Sequence, residues 1–195
     1  MGKHITVIQG HPDPAGGHLG HALADAYADG ARDAGHHVDR LDVAALNTPL
    51  LHRREDWESG EPPESVKKAQ AAIARADHLL IVYPLWLGSM PAVLKGFLEQ
   101  VFRPGFAIGK SEGRGMWTKR LAGKSARIVV TMGMPALVYR WYFLAHSLKS
   151  FERNILRFCG IRPVGESLVG GVENIGPAKR AAWIERMRTY GRHAG

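Results

Sequence analysis

The stretch Asp77-His78-Leu79-Leu80-Ile81-Val82-Tyr83-Pro84-Leu85-Trp86-Leu87-Gly88-Ser89-Met90-Pro91 decides how this chain folds. Leu79 to Tyr83 is an unbroken apolar run that begins after two polar residues and ends at a proline. A strand with one solvated face would alternate; an unbroken run predicts a strand covered on both sides. Pro91 falls just inside the segment that follows, where its missing N–H removes no helical hydrogen bond. Val93, Leu94, Phe97, Leu98, Val101 and Phe102 then recur at helical spacing, which predicts a helix with one buried stripe.

Working outward, the same alternation repeats. Ile5 to Ile8 reads as a short buried strand, and Leu19, Ala22, Leu23, Ala26 and Tyr27 mark one apolar helix face that ends at Gly35. Val38 to Val43 reads as a second strand. Residues 47–63, with Pro49, Gly60, Pro62, Pro63 and many charges, read as a long polar surface loop, and Glu64 to Ala76 as a helix. On the C-terminal side, Ala126 to Thr131 is a fourth strand. Leu144, Leu148, Phe151, Ile155 and Phe158 predict a long helix stopped by Gly160, and a fifth strand lies within Ile161 to Val169. A last helix follows Pro177 with Ala181, Ile184 and Met187 inward. Strict β-α alternation implies an α/β domain with a parallel sheet and helices on both faces. Right-handed crossovers leave few topologies, and five strands favour the order 2-1-3-4-5 in one domain spanning 1–195.

Composition narrows the function. With 195 residues and 45% hydrophobic side chains, the chain can fill a core. The formal charge of +8 is spread along the sequence, with no basic run interleaved with aromatics, so no nucleic-acid partner is expected. The same charge suits anionic phosphates. The single cysteine, Cys159, lies in an apolar stretch; it excludes an internal disulfide or a cysteine metal cluster and reads as a buried inert thiol. Met1-Gly2-Lys3-His4-Ile5 runs into a strand pattern rather than a signal peptide, and no apolar run approaches the ~20 residues of a membrane span. A cytoplasmic protein without membrane insertion is expected.

In such a sheet, ligands bind at the carboxyl ends of the strands. The loop after the first strand, Gln9-Gly10-His11-Pro12-Asp13-Pro14-Ala15-Gly16-Gly17-His18, leads into a helix N-terminus, a place suited to phosphate. It carries neither the Walker pattern nor the Gly-x-Gly-x-x-Gly fingerprint. His11 and His18 are candidate phosphate donors, with an ordinary turn bearing solvent-facing histidines the equal alternative. The loop Pro84-Leu85-Trp86-Leu87 is apolar where a surface loop should be polar, which suggests a flat apolar ligand over a hydrophobic plug. The loop Thr131-Met132-Gly133-Met134-Pro135 permits close backbone approach, and Tyr139 and His146 beyond it could supply a hydrogen bond and a proton. Either could equally be structural.

The run Ala76 to Trp86, then Met90-Pro91-Ala92-Val93-Leu94-Lys95-Gly96-Phe97 and Val101-Phe102-Arg103-Pro104-Gly105-Phe106-Ala107, resembles the NAD(P)H:quinone oxidoreductase (DT-diaphorase-like) family. His11-Pro12-Asp13-Pro14 and Ile155-Leu156-Arg157-Phe158-Cys159-Gly160 extend the likeness over nearly the whole chain. The resemblance implies a flavodoxin-like fold, a homodimer, and two-electron reduction of a small quinone-type acceptor by ping-pong hydride transfer from NADPH or NADH. The implied cofactor is FMN, with FAD the alternative; a chain this short leaves little to cover an adenosine. Carried over by position, His11, His18, Leu19 and Gly20 hold the flavin phosphate. Pro84, Leu85, Trp86 and Leu87 run along the ring edge, and Thr131, Met132, Gly133, Met134 and Tyr139 meet its pyrimidine end. Tyr139 and His146 are the implied catalytic pair, with His146 one residue out of the family register. No metal is implied. Where the family has Ser or Thr this chain has His18, and Leu87 and Gly88 replace bulky aromatics, which implies a wider, less selective pocket. Other readings are an azo- or nitroreductase, a flavin reductase, a regulatory flavoprotein docked on an ion-efflux system, and an electron carrier, the last disfavoured by the basic charge.

Overall fold

The deciding stretch occupies the middle of the sheet. A computed structural model describes residues 2–110 and 117–195. In it, β3 (His78–Pro84) lies between β1 (His4–Gln9) and β6 (Ser125–Met132). Beyond them lie β2 (His37–Asp42) and β7 (Val164–Gly170), in the order β2-β1-β3-β6-β7, all parallel. This is the expected 2-1-3-4-5 arrangement of five sheet strands. Leu79 to Tyr83 are each no more than 1% exposed, because both faces are covered. Ile81 and Tyr83 face one apolar layer with α3 (Glu64–Arg75) and α4 (Ala92–Val101). Leu80 and Val82 face the other, with α1 (Leu19–Asp33) and α8 (Pro177–His193). Each such side chain contributes about 1.5–3 kcal/mol by leaving water.

α1 and α8 cross at two glycines. A Cβ built on Gly30 would stand 2.1 Å from the Arg188 carbonyl oxygen, and one on Gly191 would stand 2.0 Å from that of Tyr27. Backbone meets backbone there, so no methyl group fits. Gly30→Ala therefore destabilises by about 1–3 kcal/mol, although alanine favours a helix by about 1 kcal/mol over glycine. A lower urea midpoint checks this; a higher one would show that the helices can separate without loss.

Several elements differ from the sequence expectation. Ala181 is exposed; α8 faces inward with Met187 and Gly191, Ile184 being half-buried, because only its second half packs on α1. The expected continuous helix from Leu144 is broken. Leu144 and Ala145 are left-handed (φ 53° and 48°), a short helix α6 (His146–Ser150) follows, and Phe151–Leu156 is wound as a π-helix before α7 (Arg157–Cys159). The wider π turn rotates the buried face, so Leu148, Phe151, Leu156 and Cys159 point inward while Phe158 is exposed. In α4, Val93 is exposed. Gly160, at φ 104°, stops α7 as expected. Burial pushes the Cys159 thiol up to about 12, so it stays protonated near neutral pH.

The 47–63 loop is more anchored than its polarity suggested. It contains α2 (Arg54–Glu58), and buried side chains from the α4 end grip it. Gln100 donates to the Pro49 carbonyl at 2.8 Å and Arg103 to the Gly60 carbonyl at 2.8 Å. A small antiparallel pair, β4 (Ile108–Lys110) and β5 (Trp117–Lys119), was not legible in the pattern. Among the described residues, no helix is long and apolar enough to cross a membrane.

Candidate active site

The carboxyl ends of β1, β3, β6 and β7 surround a crevice of about 380 Å³. Its wall carries His11, Gly17, His18, Leu19, Gly20 and Ala22 from the β1 loop and the start of α1, Pro84 and Thr131 from the ends of β3 and β6, and Val172, Glu173 and Arg180 from the chain after β7. That volume lies within the range of small-molecule sites, about 300–1,000 Å³.

The first part of the wall is built by β1. Buried Gln9 accepts the His11 N–H at 3.2 Å and donates to the Gly20 carbonyl at 3.2 Å, tying the loop to the start of α1. His11 Nδ1 accepts the Asp13 N–H at 3.1 Å. One Asp13 oxygen accepts the Ala15 N–H at 2.9 Å and the other meets His18 Nε2 at 2.8 Å. The hydrogen bond to His18 holds the Asp13 carboxyl below its usual value. Gly16 and Gly17, both at φ 77°, turn the chain between these residues in a conformation that favours glycine. The His11 ring, 7% exposed, stacks on that of His18 with centroids 4.0 Å apart. Burial and the neighbouring imidazoles hold His11 below the ordinary histidine value. Among the described residues no side chain caps α1; the His21 N–H bonds the His18 carbonyl at 3.0 Å, and the Leu19 and Gly20 N–H groups are left for a ligand.

The second part is built by the β3 and β6 loops. The Leu85 N–H donates to the Thr131 carbonyl at 2.7 Å. Trp86 and Ser89 exchange backbone hydrogen bonds across a tight turn whose centre, Leu87 and Gly88, has positive φ (47° and 77°). Leu87 is fully exposed, an apolar side chain held in a conformation that costs about 1–3 kcal/mol outside glycine. A Cβ on Gly133 would come within 3.1 Å of Glu173 Oε1, so the glycine lets that carboxylate close over the loop.

The structure thus brings His11, His18, Leu19, Gly20, Pro84 and Thr131 onto one wall. The other candidates lie off it. Met132 is 2% exposed and its side chain belongs to the core, while Met134 and Leu85 pack against that core. Trp86 is half-exposed, with its ring edge-on to His11 at 6.4 Å. Tyr139 is nearly fully buried. It is 2% exposed, and its hydroxyl bonds Ser147 Oγ at 2.8 Å and accepts the Leu148 N–H at 3.2 Å. That hydroxyl pins the turn between α5 (Ala136–Trp141) and α6 and is not offered to the crevice. His146 is exposed at the first turn of α6, away from that wall. Sequence reasoning missed Val172 and Glu173, which come from the loop after the last strand, and Arg180, which comes from the first turn of α8. Gly170-Gly171 followed by the Pro177-led helix with Lys179-Arg180 was the available signal. Among the described residues, no group of histidine, cysteine and carboxylate side chains is arranged to hold a metal ion.

A five-strand parallel sheet in this order, with a phosphate-suited helix start and an adjacent strand-end cleft, defines a protein of the flavodoxin-like class. Residues 3–193 match the family described as flavodoxin-like fold. An uncharacterised NAD(P)H oxidoreductase of Haemophilus influenzae is 30% identical over 183 residues, covering 92% of this chain and 89% of the relative. An FMN-dependent NADH:quinone oxidoreductase of Ruegeria pomeroyi is 30% identical over 150 residues, covering 69% and 72%. The solved structure of an NAD(P)H:quinone oxidoreductase from Methanothermobacter marburgensis superposes with a TM-score of 0.84 at 25% identity, over 100% of both chains. The chain belongs to this flavodoxin-like family, and the resemblance to NAD(P)H:quinone oxidoreductases is borne out.

Proposed function

We propose that this chain is an FMN-dependent NAD(P)H:quinone oxidoreductase. The observation that carries the reading is the polarity of the single crevice. Imidazoles, an uncapped helix start and Arg180 line it together with Pro84 and Thr131 at the strand ends. That donor set fits a long ligand with an anionic tail and a flat, largely apolar head, as a phosphorylated flavin is. The FMN-dependent relative supports the choice of cofactor. The chemistry a bound flavin supplies is two-electron exchange between a reduced nicotinamide and a quinone.

The chain's own residues bind and orient. His11 Nε2 carries the ring hydrogen in the neutral form, because Nδ1 already accepts the Asp13 N–H. It can therefore donate to a phosphate oxygen. The first-turn N–H groups of Leu19 and Gly20 add uncharged donors, and the Arg180 guanidinium adds a permanent charge. Pro84 stands on the crevice wall, and the turn that follows it, with the exposed Leu87 side chain, offers an apolar surface beside it for a ring. The same open face would serve donor and acceptor in turn, and the +8 charge favours NADPH over NADH. Purified protein is expected to be yellow and to release FMN, and initial-rate plots with NADPH and a quinone are expected to be parallel. A colourless protein that takes up no FMN would overturn the reading; intersecting lines would overturn the shared site.

A homodimer is part of the proposal. Leu137, Val138, Trp141, Tyr142, Phe143 and Leu144 are all more than 40% exposed along α5 and the turn after it. So many large apolar side chains in one exposed segment mark an interaction surface. Light scattering is expected to give twice the 21.4 kDa chain mass, and Trp141→Glu to shift it toward one. A cytoplasmic location accords with the protonated, unpaired Cys159.

A further inference from the structure

The loop after β1 holds a histidine cluster that the flavin-binding role does not use up. His11, His18 and His21 form a compact group. Ring centroids are 4.0 Å apart for His11 and His18, 5.0 Å for His11 and His21, and 5.7 Å for His18 and His21. His21, one turn into α1, is 7% exposed, and neither of its ring nitrogens has a hydrogen-bond partner among the described residues. Two side chains more than nine-tenths buried thus sit beside an uncapped helix start with donor capacity unspent.

The groups around the cluster define its charge. Asp13 bonds His18 from the loop, and Asp42 and Arg40 of β2 and Asp25 of α1 face His21. Arg40 is itself paired with Asp25, and Asp42 keeps one buried oxygen without a partner among the described residues. Glu173 and Arg180 line the same crevice. Burial and the neighbouring imidazoles hold His11 and His21 below the ordinary histidine value, so these two rings are largely neutral near pH 7. An anion at the α1 N-terminus reverses that balance, since a nearby negative charge favours imidazolium.

We propose that binding of a phosphate monoester at this site is proton-coupled: as the dianion seats on the start of α1, the His11–His18–His21 cluster takes up a proton from solvent. The inference rests on the flavin reading for the identity of the ligand. It makes cofactor retention pH-dependent, with affinity falling about tenfold per pH unit wherever one proton is taken up.

Calorimetric titration of cofactor-stripped protein tests it, with FMN and riboflavin in two buffers of different ionisation heat. At about pH 7.5 the phosphate monoester is already mostly dianionic, so uptake reports on the protein. The expected result is uptake of roughly half to one proton per FMN and none with riboflavin, with uptake more than halved in His21→Phe or in the more exposed His18→Asn. Buffer-independent heats with FMN bound, equal uptake with riboflavin, or unchanged uptake in both variants would overturn the coupling and leave the flavin reading standing. Failure of both flavins to bind would overturn the two together.

Discussion

Arg180→Ala is expected to weaken FMN binding about 10- to 100-fold while riboflavin affinity stays within a factor of two or so. The argument is geometric. Arg180 lies in the first turn of α8, its backbone N–H bonded to the Gly176 carbonyl at 3.0 Å, and it lines the same crevice as His11 and His18. A hydrogen bond to a charged group is worth about 1.5–3 kcal/mol, and a guanidinium keeps its charge at every working pH. Riboflavin has no phosphate and so makes no use of it. Fluorescence quenching of each flavin measures the two affinities. Equal losses for FMN and riboflavin would show that Arg180 shapes the crevice and does not read the phosphate. Arg180→Lys should recover part of the FMN affinity, since a point charge replaces a fork of donors.

The second large effect concerns stability in acid. His78 opens the central strand, 2% exposed, with Nδ1 paired to Ser125 Oγ at 2.7 Å and its ring stacked on Tyr27 at 6.2 Å. Its Nε2 is buried without a partner among the described residues. Burial, with Lys3 and Arg127 nearby, pushes its value down to about 4 from 6.5. Between those two values the unfolded chain carries the proton and the folded chain does not, so stability falls as pH drops from 6.5 toward 4. The loss is about 3 kcal/mol, a large part of a typical total of about 5–15 kcal/mol. Urea unfolding across this range should show the slope, and His78→Gln should flatten it while changing neutral-pH stability less. His11 and His21, also held low, add a smaller loss in the same direction. Parallel slopes for the two proteins would move the effect to another group.

Much of the architecture could be read without coordinates because the relevant signals are local. Leu79 to Tyr83 needed no partner to announce a doubly covered strand, and the Pro91-led stripe identified α4. The helix after Leu144 was misread because a π turn leaves no mark in the spacing of apolar residues; the register changes only where the winding does. The surroundings of Tyr139 were not legible for a related reason. Its value as a donor depends on whether its hydroxyl is already engaged, and Ser147 and Leu148 come to it only after the 139–148 turn closes.

Local chemistry in the chain was therefore enough to determine the alternating α/β order, the strand sequence of the sheet and the family likeness. What only the tertiary structure decided is which distant groups share a wall. Arg180 and Glu173 reach His11 and Pro84 because parallel strands carry all their carboxyl ends to one edge. Gly30 and Gly191 matter because two helices far apart in sequence touch backbone to backbone. Burial of His78 and His21 likewise depends on what packs over them, and a residue's charge in the folded state follows from that packing and not from its neighbours in the chain.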